Sequence, residues 1–318
     1  MSTFPLLDLP ANVYRYQEGG QDVFTFRWHG LAYLASFALA LWLLRRFSAR
    51  GQLALQRREL PEFVIFGALL GVLAGGRLGY AFLYDWPHVS GDLSLLLKMN
   101  VNQASFFGGL LGLIVFTAFQ ARKHHVSFLN LTDHLAVVAP LGMLLGRLAD
   151  FMTGEAFGRT TSVPWALRFP LEVHLPAFTP ALPTEMAAEE LPAHHGAIMD
   201  LAHINPDLMN ELVRILNPRH PWALYAALLE GAVLFCVLFA LRQRMRSLAE
   251  GVLSGVFLLG YGVLRLGVDF FREPSLGDPL QLGLTLEQWL CIPLLLAGVG
   301  LLGLSRAASR VYTPVTVS

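Results

Sequence analysis

Residues 222–241, WALYAALLEGAVLFCVLFAL, form an apolar run that contains a single charged side chain, Glu230. A helix needs about 20 such residues to cross the hydrocarbon core of a bilayer. A charge near the bilayer centre costs about 2.5–3.5 kcal/mol on insertion scales, so Glu230 needs a polar partner. The run therefore predicts a membrane-spanning helix in which Glu230 lies close to mid-depth and bonds a neighbouring helix.

Six further apolar runs accompany this one, so the sequence predicts seven transmembrane helices. The predicted spans are Trp28–Leu44, Phe63–Tyr84, Phe106–Ala121, Leu131–Met152, Trp222–Leu241, Val252–Phe271 and Trp289–Leu304. Of the 318 residues 54% are hydrophobic and 14% are charged, whereas about a quarter of a soluble domain is charged. The composition indicates an all-α integral membrane protein, and the formal net charge of zero argues against nucleic-acid binding.

Basic residues are concentrated in alternate loops. After spans 1, 3, 5 and 7 they are Arg45, Arg46, Arg50, Arg57, Arg58, Arg122, Lys123, Arg242, Arg244, Arg246, Arg306 and Arg310. The loops after spans 2 and 6 hold only Lys98 and Arg272. Because cytoplasmic loops carry the excess of Lys and Arg, we predict an extracytoplasmic N-terminus and a cytoplasmic C-terminus.

This topology divides the chain into five segments. They are an extracytoplasmic N-terminal segment (1–27), spans 1–4 (28–157), an external insert (158–220), spans 5–7 (221–305) and a cytoplasmic tail (306–318). The insert is polar and proline-rich and includes a helical piece at Thr184–Leu216. We expect it to form a small extracytoplasmic head domain.

The insert also contains several histidines and acidic residues. They are His174, His194, His195, His203, Glu189 and Glu190. Their spacing matches no metal-ligand pattern, so we expect solvated loop histidines, no metal site and no other cofactor. Cys236 and Cys291 both lie in apolar runs and are expected to be core residues rather than a disulfide or metal pair.

Polar residues of several spans gather at one depth. Arg77, Arg147 and Arg265 fall in the outer third of spans 2, 4 and 6. The oppositely directed spans 1, 3 and 5 bring His29, Phe107 and Tyr225 to the same level. The arginines have two interpretations, namely binding of an anionic ligand, or snorkelling and ion pairs that lock helices together.

Helical spacing groups these residues further. Tyr261, Arg265 and Asp269 recur every four residues, so they share one face of span 6. Arg147 and Asp150 stand three apart at the end of span 4. Gly154, Glu155 and Gly158 follow them. Two helices thus each present an arginine beside a carboxylate, and the planar donor fork of arginine suits a phosphate. The glycines nearby permit close helix packing or the approach of a ligand.

Short motifs follow one another from the first span to the sixth. They are Trp28-His29-Gly30-Leu31-Ala32-Tyr33, Gly75-Gly76-Arg77-Leu78-Gly79-Tyr80, Ser105-Phe106-Phe107-Gly108-Gly109, Gly146-Arg147-Leu148, Gly154-Glu155-Ala156-Phe157-Gly158-Arg159, Arg219-His220-Pro221 and Tyr261-Gly262…Arg265…Asp269-Phe270-Phe271-Arg272. In this order they resemble the prolipoprotein diacylglyceryl transferase family of bacterial inner membranes. The resemblance covers most of the chain and implies seven helices, a periplasmic head between spans 4 and 5, and a cavity open to the outer leaflet.

The resemblance also implies a reaction and its partners. The diacylglyceryl group of phosphatidylglycerol moves to the lipobox cysteine of a prolipoprotein signal peptide, and glycerol phosphate leaves. Arg147 and Arg265 would hold the phosphodiester, with Glu155 beside them in the catalytic set. The implied substrate-binding residues are Arg77, Asp150, Gly158, Tyr261 and Asp269. The implied location is the bacterial cell inner membrane, where membrane lipid surrounds a multi-pass chain.

Several motif positions depart from the family. His29 replaces a tyrosine, Phe107 a histidine, Ala149 a glycine, Asp150 an asparagine, Asp269 a glutamate, and Ala223 and Ala226 a glutamine and a glutamate. A base must generate the attacking thiolate, and Phe107 cannot accept a proton. We therefore hypothesise that His29 acts as the base, because an imidazole titrates in the useful range.

These departures leave other functions open beside the family reaction. One alternative is a paralogue that keeps phospholipid recognition but uses a different acceptor or reaction. Another is a non-catalytic membrane protein that binds lipid or signal peptides. A transporter is less favoured, because the polar layer is one-sided whereas transporters place their sites near the bilayer midplane.

Overall fold

The computed structural model describes residues 4–10, 12–18, 21–92, 94, 104–175, 178, 191–192, 195–245, 248–273 and 283–308. The chain forms two compact units. The first unit comprises Met1–Ser36, Pro140–Leu234 and Gly260–Ile292. The second unit comprises Phe37–Ala139, Phe235–Leu259 and Pro293–Ser318.

Helices make up most of the described residues. They are α1 (Trp28–Ala49), α2 (Leu60–Leu83), α3 (Trp86–Val89), α4 (Phe106–Lys123), α5 (Phe128–Thr153), α6 (His195–Ile204), α7 (Pro206–Ile215), α8 (Trp222–Arg244), α9 (Val252–Asp269) and α10 (Leu286–Ala308). In the described part of the chain six helices, α1, α2, α5, α8, α9 and α10, are long and apolar enough to cross a membrane. The chain is therefore a multi-pass membrane protein.

The third predicted span is a helix, α4, but it is not among those six. Its last four residues, Gln120–Lys123, include two cations and an amide, which lower the apolar character of this 18-residue helix. Six of the seven predicted spans are thus confirmed as apolar helices of sufficient length, and the crossing by α4 stays a prediction.

The last helix begins earlier than the predicted span, at Leu286 rather than Trp289. A reciprocal cap explains the difference, because the Thr285 backbone N–H donates to Gln288 Oε1 (2.9 Å) and the Gln288 N–H donates to Thr285 Oγ1 (3.2 Å). At its other end α10 reaches Ala308. From residue 309 onward the predicted tail lies outside the described residues, as do Lys98 and Arg246.

Two of the long helices contain a wider, π-helical segment. These segments are Gly67–Ala74 in α2 and Ala227–Val233 in α8. Glu230 lies within the second one, and its side chain is almost completely buried. Such segments are rare and occur often at functional sites, and this one turns the charged residue of the most apolar helix toward protein rather than lipid.

Helices α2 and α4 of the second unit approach each other at glycines. A Cβ on Gly79 would lie 2.3 Å from the Gly108 Cα, and one on Gly112 would lie 2.3 Å from the Gly71 carbonyl oxygen. Small residues at four-residue spacing allow membrane helices to pack backbone against backbone. Of the glycines near the arginines, Gly75 and Gly79 thus pack closely as predicted, whereas nothing lies within 4 Å of the Cβ position of Gly146.

We expect Gly108→Ala to destabilise this unit, because the added methyl group would lie 2.5 Å from both the Gly75 oxygen and the Gly79 Cα. Overpacking of this kind costs about 1–3 kcal/mol. Thermal unfolding in detergent micelles measures the change. Gly303→Ala is the matched control, since nothing lies within 4 Å of its Cβ position. Equal unfolding temperatures for the two variants would contradict the packing argument.

The N-terminal segment contains strands, so the all-α prediction is wrong for these residues. Strands β1 (Asn12–Glu18) and β2 (Gln21–Arg27) pair antiparallel. Before them, the Leu7 N–H donates to the Arg168 carbonyl (2.8 Å), and the Arg168 N–H donates to the Pro5 carbonyl (3.0 Å). The N-terminal segment is thus hydrogen-bonded to the insert.

The described part of the insert has its own small hydrophobic core. Helices α6 and α7 supply most of it, and they occupy the described part of the predicted helical piece. The buried members are Val173, Leu191, Ile198, Ala202, Leu208, Leu212 and Leu216. Residues 179–190, with the beginning of that helical piece and Glu189 and Glu190, lie outside the described residues, as does His194.

The predictions of solvent exposure are wrong for His195 and Cys236 and are confirmed for His203 and Cys291. His195 is buried, because it begins α6 against Gly154, and burial lowers the pKa of its ring. His203 is half-exposed and lies 3.0 Å from the Asp8 carboxylate, so this one is a surface residue as expected. Cys291 is buried as predicted, whereas Cys236 is exposed, like Val233 and Val237 of the same helix.

Candidate active site

Three polar side chains of the first unit form a hydrogen-bonded chain. The Asp150 carboxylate accepts from both sides, with Oδ1 2.9 Å from His29 Nε2 and Oδ2 2.8 Å from Arg147 Nη1. His29 comes from the first turn of α1, and the other two come from the last two turns of α5. All three side chains are 23–27% exposed, so they are ordered by packing and still accessible to a ligand.

Two further residues lie within electrostatic reach of this chain. The Glu155 carboxylate interacts with His29, and the Tyr33 hydroxyl interacts with both Asp150 and Arg147. Glu155 is exposed and follows the end of α5, where Gly154 adopts φ +65°. A glycine can adopt this left-handed conformation at the end of a helix without the strain that a side chain would cause. Here it turns Glu155 back toward α1.

The indole ring of Trp222 is surrounded by guanidinium groups. Its centroid lies 4.8 Å from the Cζ of Arg147, 5.3 Å from that of Arg265 and 5.5 Å from that of Arg272. The ring is held by a hydrogen bond of its N–H to the Val268 carbonyl (3.0 Å) and is almost fully buried. Cation–π attraction contributes about 0.5–2 kcal/mol for each such contact. Trp222 thus contacts three arginines and contributes to their positions.

We expect Trp222→Leu to lower kcat/KM about 30-fold, because two guanidinium groups would each lose about 1 kcal/mol of cation–π attraction that holds them in position. Trp222→Phe should give an intermediate loss, since a phenyl ring attracts cations less strongly than indole. Steady-state kinetics of both variants measure the effect. The control is Trp86→Leu, which makes the same change at an exposed tryptophan. Equal rates for Trp222→Leu and Trp86→Leu would rule out this positioning role.

A buried ion cluster surrounds the second predicted phosphate ligand, Arg265. Its guanidinium contacts Glu230 (3.5 Å), Asp269 (3.9 Å) and, through a short hydrogen bond, Glu287. Arg272 lies 2.6 Å from the same Glu287 oxygen. Two cations therefore face three carboxylates. Arg265 is only 7% exposed, and a buried cation of this kind needs its counter-charges to stay in place.

The predicted shared face of α9 is confirmed. Tyr261, Arg265 and Asp269 are all buried, and Asp269 Oδ2 accepts a hydrogen bond from the Thr285 hydroxyl (3.1 Å). The predicted bond from Glu230 to a neighbouring helix is also confirmed, since its partner is Arg265 of α9. These contacts support the ion-pair interpretation for Arg265, whereas Arg147 keeps a partly exposed guanidinium.

Gly158 is placed by close backbone contacts. Its N–H donates to the His220 carbonyl (2.9 Å), and its carbonyl accepts from the Arg219 guanidinium (3.0 Å). A Cβ at this position would lie 2.4 Å from the Phe271 oxygen. The requirement for glycine is therefore steric, and its predicted contact with substrate stays a prediction.

A second ion network, which the sequence did not suggest, involves Arg219. Its guanidinium pairs with Glu172 and Glu273, both at 2.8 Å. Beside it, His220 Nδ1 lies 3.1 Å from the Tyr225 hydroxyl. Burial lowers the pKa of His220, which favours a neutral ring that can accept a proton. The Arg-His-Pro motif is the signal that marked this region.

The remaining two predicted positions belong to the second unit. Arg77 lies on α2 and is half-buried. Phe107 lies in the first turn of α4, with its ring 5.5 Å from that of Phe106 in an edge-on arrangement. The first unit thus brings together His29, Arg147, Asp150 and Glu155, and separately Tyr261, Arg265 and Asp269.

Comparison with known proteins extends over both units. A model of the prolipoprotein diacylglyceryl transferase family matches residues 21–304. A phosphatidylglycerol–prolipoprotein diacylglyceryl transferase of Idiomarina loihiensis is 35% identical over 276 residues, 86% of each chain. The transferase of Xanthomonas oryzae pv. oryzae is 37% identical over 283 residues, 88% of each chain. That of Rhodospirillum rubrum is 34% identical over 295 residues, 92% of each chain.

Proposed function

The chain belongs to the prolipoprotein diacylglyceryl transferase family and is a transferase of the inner membrane, and we propose from this premise how its own residues carry out the reaction. The donor is phosphatidylglycerol, and the acceptor is the cysteine thiol of a prolipoprotein. Recognition of the acceptor occurs through its signal peptide, which reaches the site within the membrane.

The transfer forms one bond and breaks one. The cysteine sulfur attacks the glyceryl carbon that bears the phosphate oxygen, a C–S bond forms, and the C–O bond breaks. Its electron pair goes to the phosphate oxygen, so glycerol phosphate leaves, and the thiol proton goes to a base. The protein must therefore supply a proton acceptor for the thiol and positive charge for the leaving phosphate.

The hydrogen-bonded chain of His29, Asp150 and Arg147 is the observation that carries this proposal. A carboxylate acceptor at His29 Nε2 favours the tautomer with hydrogen on that nitrogen, which leaves Nδ1 free to accept the thiol proton. Asp150 then stabilises the imidazolium that forms, as the carboxylate does in Ser-His-Asp triads. One residue thereby orients the base and holds the phosphate-binding arginine beside it.

Arg147 is proposed as the ligand of the phosphodiester. Arginine has five N–H donors, and among the described residues its one side-chain hydrogen bond goes to Asp150. The centroid of the Trp222 ring lies 4.8 Å from the Arg147 Cζ, and the ring supports the guanidinium by cation–π attraction. Arg265 faces Glu230, Asp269 and Glu287. It would therefore act on the phosphate indirectly, by adding positive charge to the site and by helping to position the Trp222 ring.

The helices are proposed to cross the membrane with one defined orientation. Seven spans, with α4 as the third, place the N-terminus in the periplasm and the C-terminus in the cytoplasm by the positive-inside rule. The insert then forms a periplasmic head above the site. Its own hydrophobic core and its hydrogen bonds to the N-terminal segment support this arrangement.

An assay with purified protein, phosphatidylglycerol and a lipobox peptide tests the function. We expect the peptide to gain the mass of one diacylglyceryl unit, and a peptide with serine in place of the cysteine to gain none. No mass gain, with phospholipid still bound to the protein, would refute the transferase assignment and favour a lipid-binding protein instead. Gain on the serine peptide would show that the thiol is not the acceptor.

A further inference from the structure

A groove in the second unit is lined by none of the residues of the proposed reaction. Its volume is about 220 Å³, and it is lined by Leu43, Arg46, Phe47, Arg50, Phe239 and Gln243. The first four come from the C-terminal end of α1 and the residue that follows it, and the last two come from the C-terminal half of α8. Two cations and three apolar side chains thus share one cavity.

The two arginines are held in place by neutral partners. The Arg50 Nη1 donates to Gln243 Oε1 (2.9 Å), and the Arg46 Cζ lies 4.3 Å from the centroid of the Trp42 ring. Among the described residues no carboxylate pairs with either of them, and none of the residues that line the groove is acidic. Their positive charge is therefore available, in contrast to that of Arg265.

The shape of the groove favours one kind of occupant. Its volume is below the range of about 300–1,000 Å³ found for sites that enclose a whole drug-sized ligand. The exposed Arg46 and Arg50 can reach the phosphodiester of a lipid headgroup, and the half-buried Phe239 can contact the beginning of an acyl chain, while the buried Leu43 and Phe47 form the floor of the groove. Exposed Trp42 beside the groove is typical of a membrane interface.

We infer that this groove binds the headgroup of an anionic phospholipid of the surrounding leaflet, as a site separate from the one that consumes phosphatidylglycerol. Arginine forks bind the phosphate, and the acyl chains stay in the bilayer. A basic side chain near an anionic membrane surface strengthens association about fivefold. Two such side chains should therefore strengthen binding about 25-fold relative to a zwitterionic lipid.

Two double variants of the full-length protein test this site. Arg46→Ala/Arg50→Ala removes the two lining cations, and Arg45→Ala/Arg57→Ala removes two exposed cations of the same region that do not line the groove. Native mass spectrometry in detergent counts bound phosphatidylglycerol as its concentration is raised. We expect the wild type and Arg45→Ala/Arg57→Ala to bind one lipid more than Arg46→Ala/Arg50→Ala does. Alternatively, Arg46→Ala/Arg50→Ala binds that lipid about 25-fold more weakly.

A parallel titration with phosphatidylcholine distinguishes charge recognition from general lipid adhesion. The proposal requires that the difference between wild type and Arg46→Ala/Arg50→Ala disappears with this lipid. Equal phosphatidylglycerol counts for the two double variants, or equal counts for the two lipids in the wild type, would overturn it. If the alanine variant does not fold, Arg46→Gln/Arg50→Gln keeps the side-chain length and is subject to the same criteria.

Transferase activity is measured on the same samples. The groove variant should keep wild-type turnover at saturating phosphatidylglycerol, because neither arginine belongs to the proposed catalytic set. A wild type that binds the extra lipid but shows no transfer would refute the proposed function and leave the groove assignment intact. A loss of turnover confined to the groove variant would show that the groove is not a separate site.

Discussion

Replacement of His29 by alanine is expected to lower kcat about 10²- to 10⁴-fold, the usual contribution of a general base. The variant loses the proton acceptor and leaves Asp150 and Arg147 in contact, so phosphatidylglycerol binding should survive. Turnover with the lipobox peptide and lipid binding by native mass spectrometry measure the two quantities. The base hypothesis requires that the first falls while the second stays.

A matched control for this change exists elsewhere in the chain. His88 also bonds an aspartate, Asp85, at 2.6 Å, but its side chain is 79% exposed, and His88→Ala should not alter turnover. Unchanged turnover in His29→Ala would remove His29 from the mechanism and direct attention to His220. The double variant His29→Tyr/Phe107→His carries the family residues at both positions. If this double variant is active and the single variant His29→Tyr is not, the family places its base at position 107 and this chain places it at position 29.

Replacement of Arg147 by alanine is expected to lower kcat about 10²- to 10³-fold, because removal of one preorganised donor to a developing anion has a cost of this size. Arg147→Lys should recover only part of the loss, since an ammonium keeps the charge but not the bidentate fork. The control is Arg214→Ala, at an exposed position of the insert. A full rate in Arg147→Ala would exclude direct phosphate contact.

Arg265 offers an informative contrast to Arg147. In Arg265→Ala the Glu230 carboxylate would stay buried without its cation, while Asp269 would keep only Arg272 at 3.7 Å, and breaking a buried pair in this way costs about 3–5 kcal/mol of stability. We therefore expect a lower unfolding temperature in Arg265→Ala and a nearly unchanged one in Arg147→Ala. The opposite order would assign the scaffold role to Arg147.

The N-terminal hairpin could have been found from the sequence. Residues 12–18 and 21–27 are separated by Gly19 and Gly20, and a Gly-Gly pair between two such runs favours a tight hairpin. The all-α prediction was based on the strong helical pattern of the spans and was extended to residues 12–27, whose local pattern is that of two strands. By contrast, the hydrogen bonds of residues 5–7 to Arg168 have no local signal, because their partner lies more than 160 residues away.

Glu287 and Trp222 show why a site is harder to predict than a span. An acidic residue in the first turn of a helix is already favoured by the helix dipole, so Glu287 attracted no attention in the sequence. Trp222 looked like the first apolar residue of a span. Their importance comes from Arg265 and Arg272, which reach them from other elements.

Residues 222–241 illustrate what the sequence by itself determines and what only the tertiary structure decides. Its apolar composition by itself determined a membrane helix, because the transfer of 20 side chains and their backbone into lipid is a sum of local terms. The arginine distribution and the four-residue spacing of Tyr261, Arg265 and Asp269 are local in the same sense. Only the tertiary structure decided that Glu230 meets Arg265 and that His29 meets Asp150. Those pairings depend on the rotation of each helix about its axis and on backbone approach at a few glycines, which no single segment encodes.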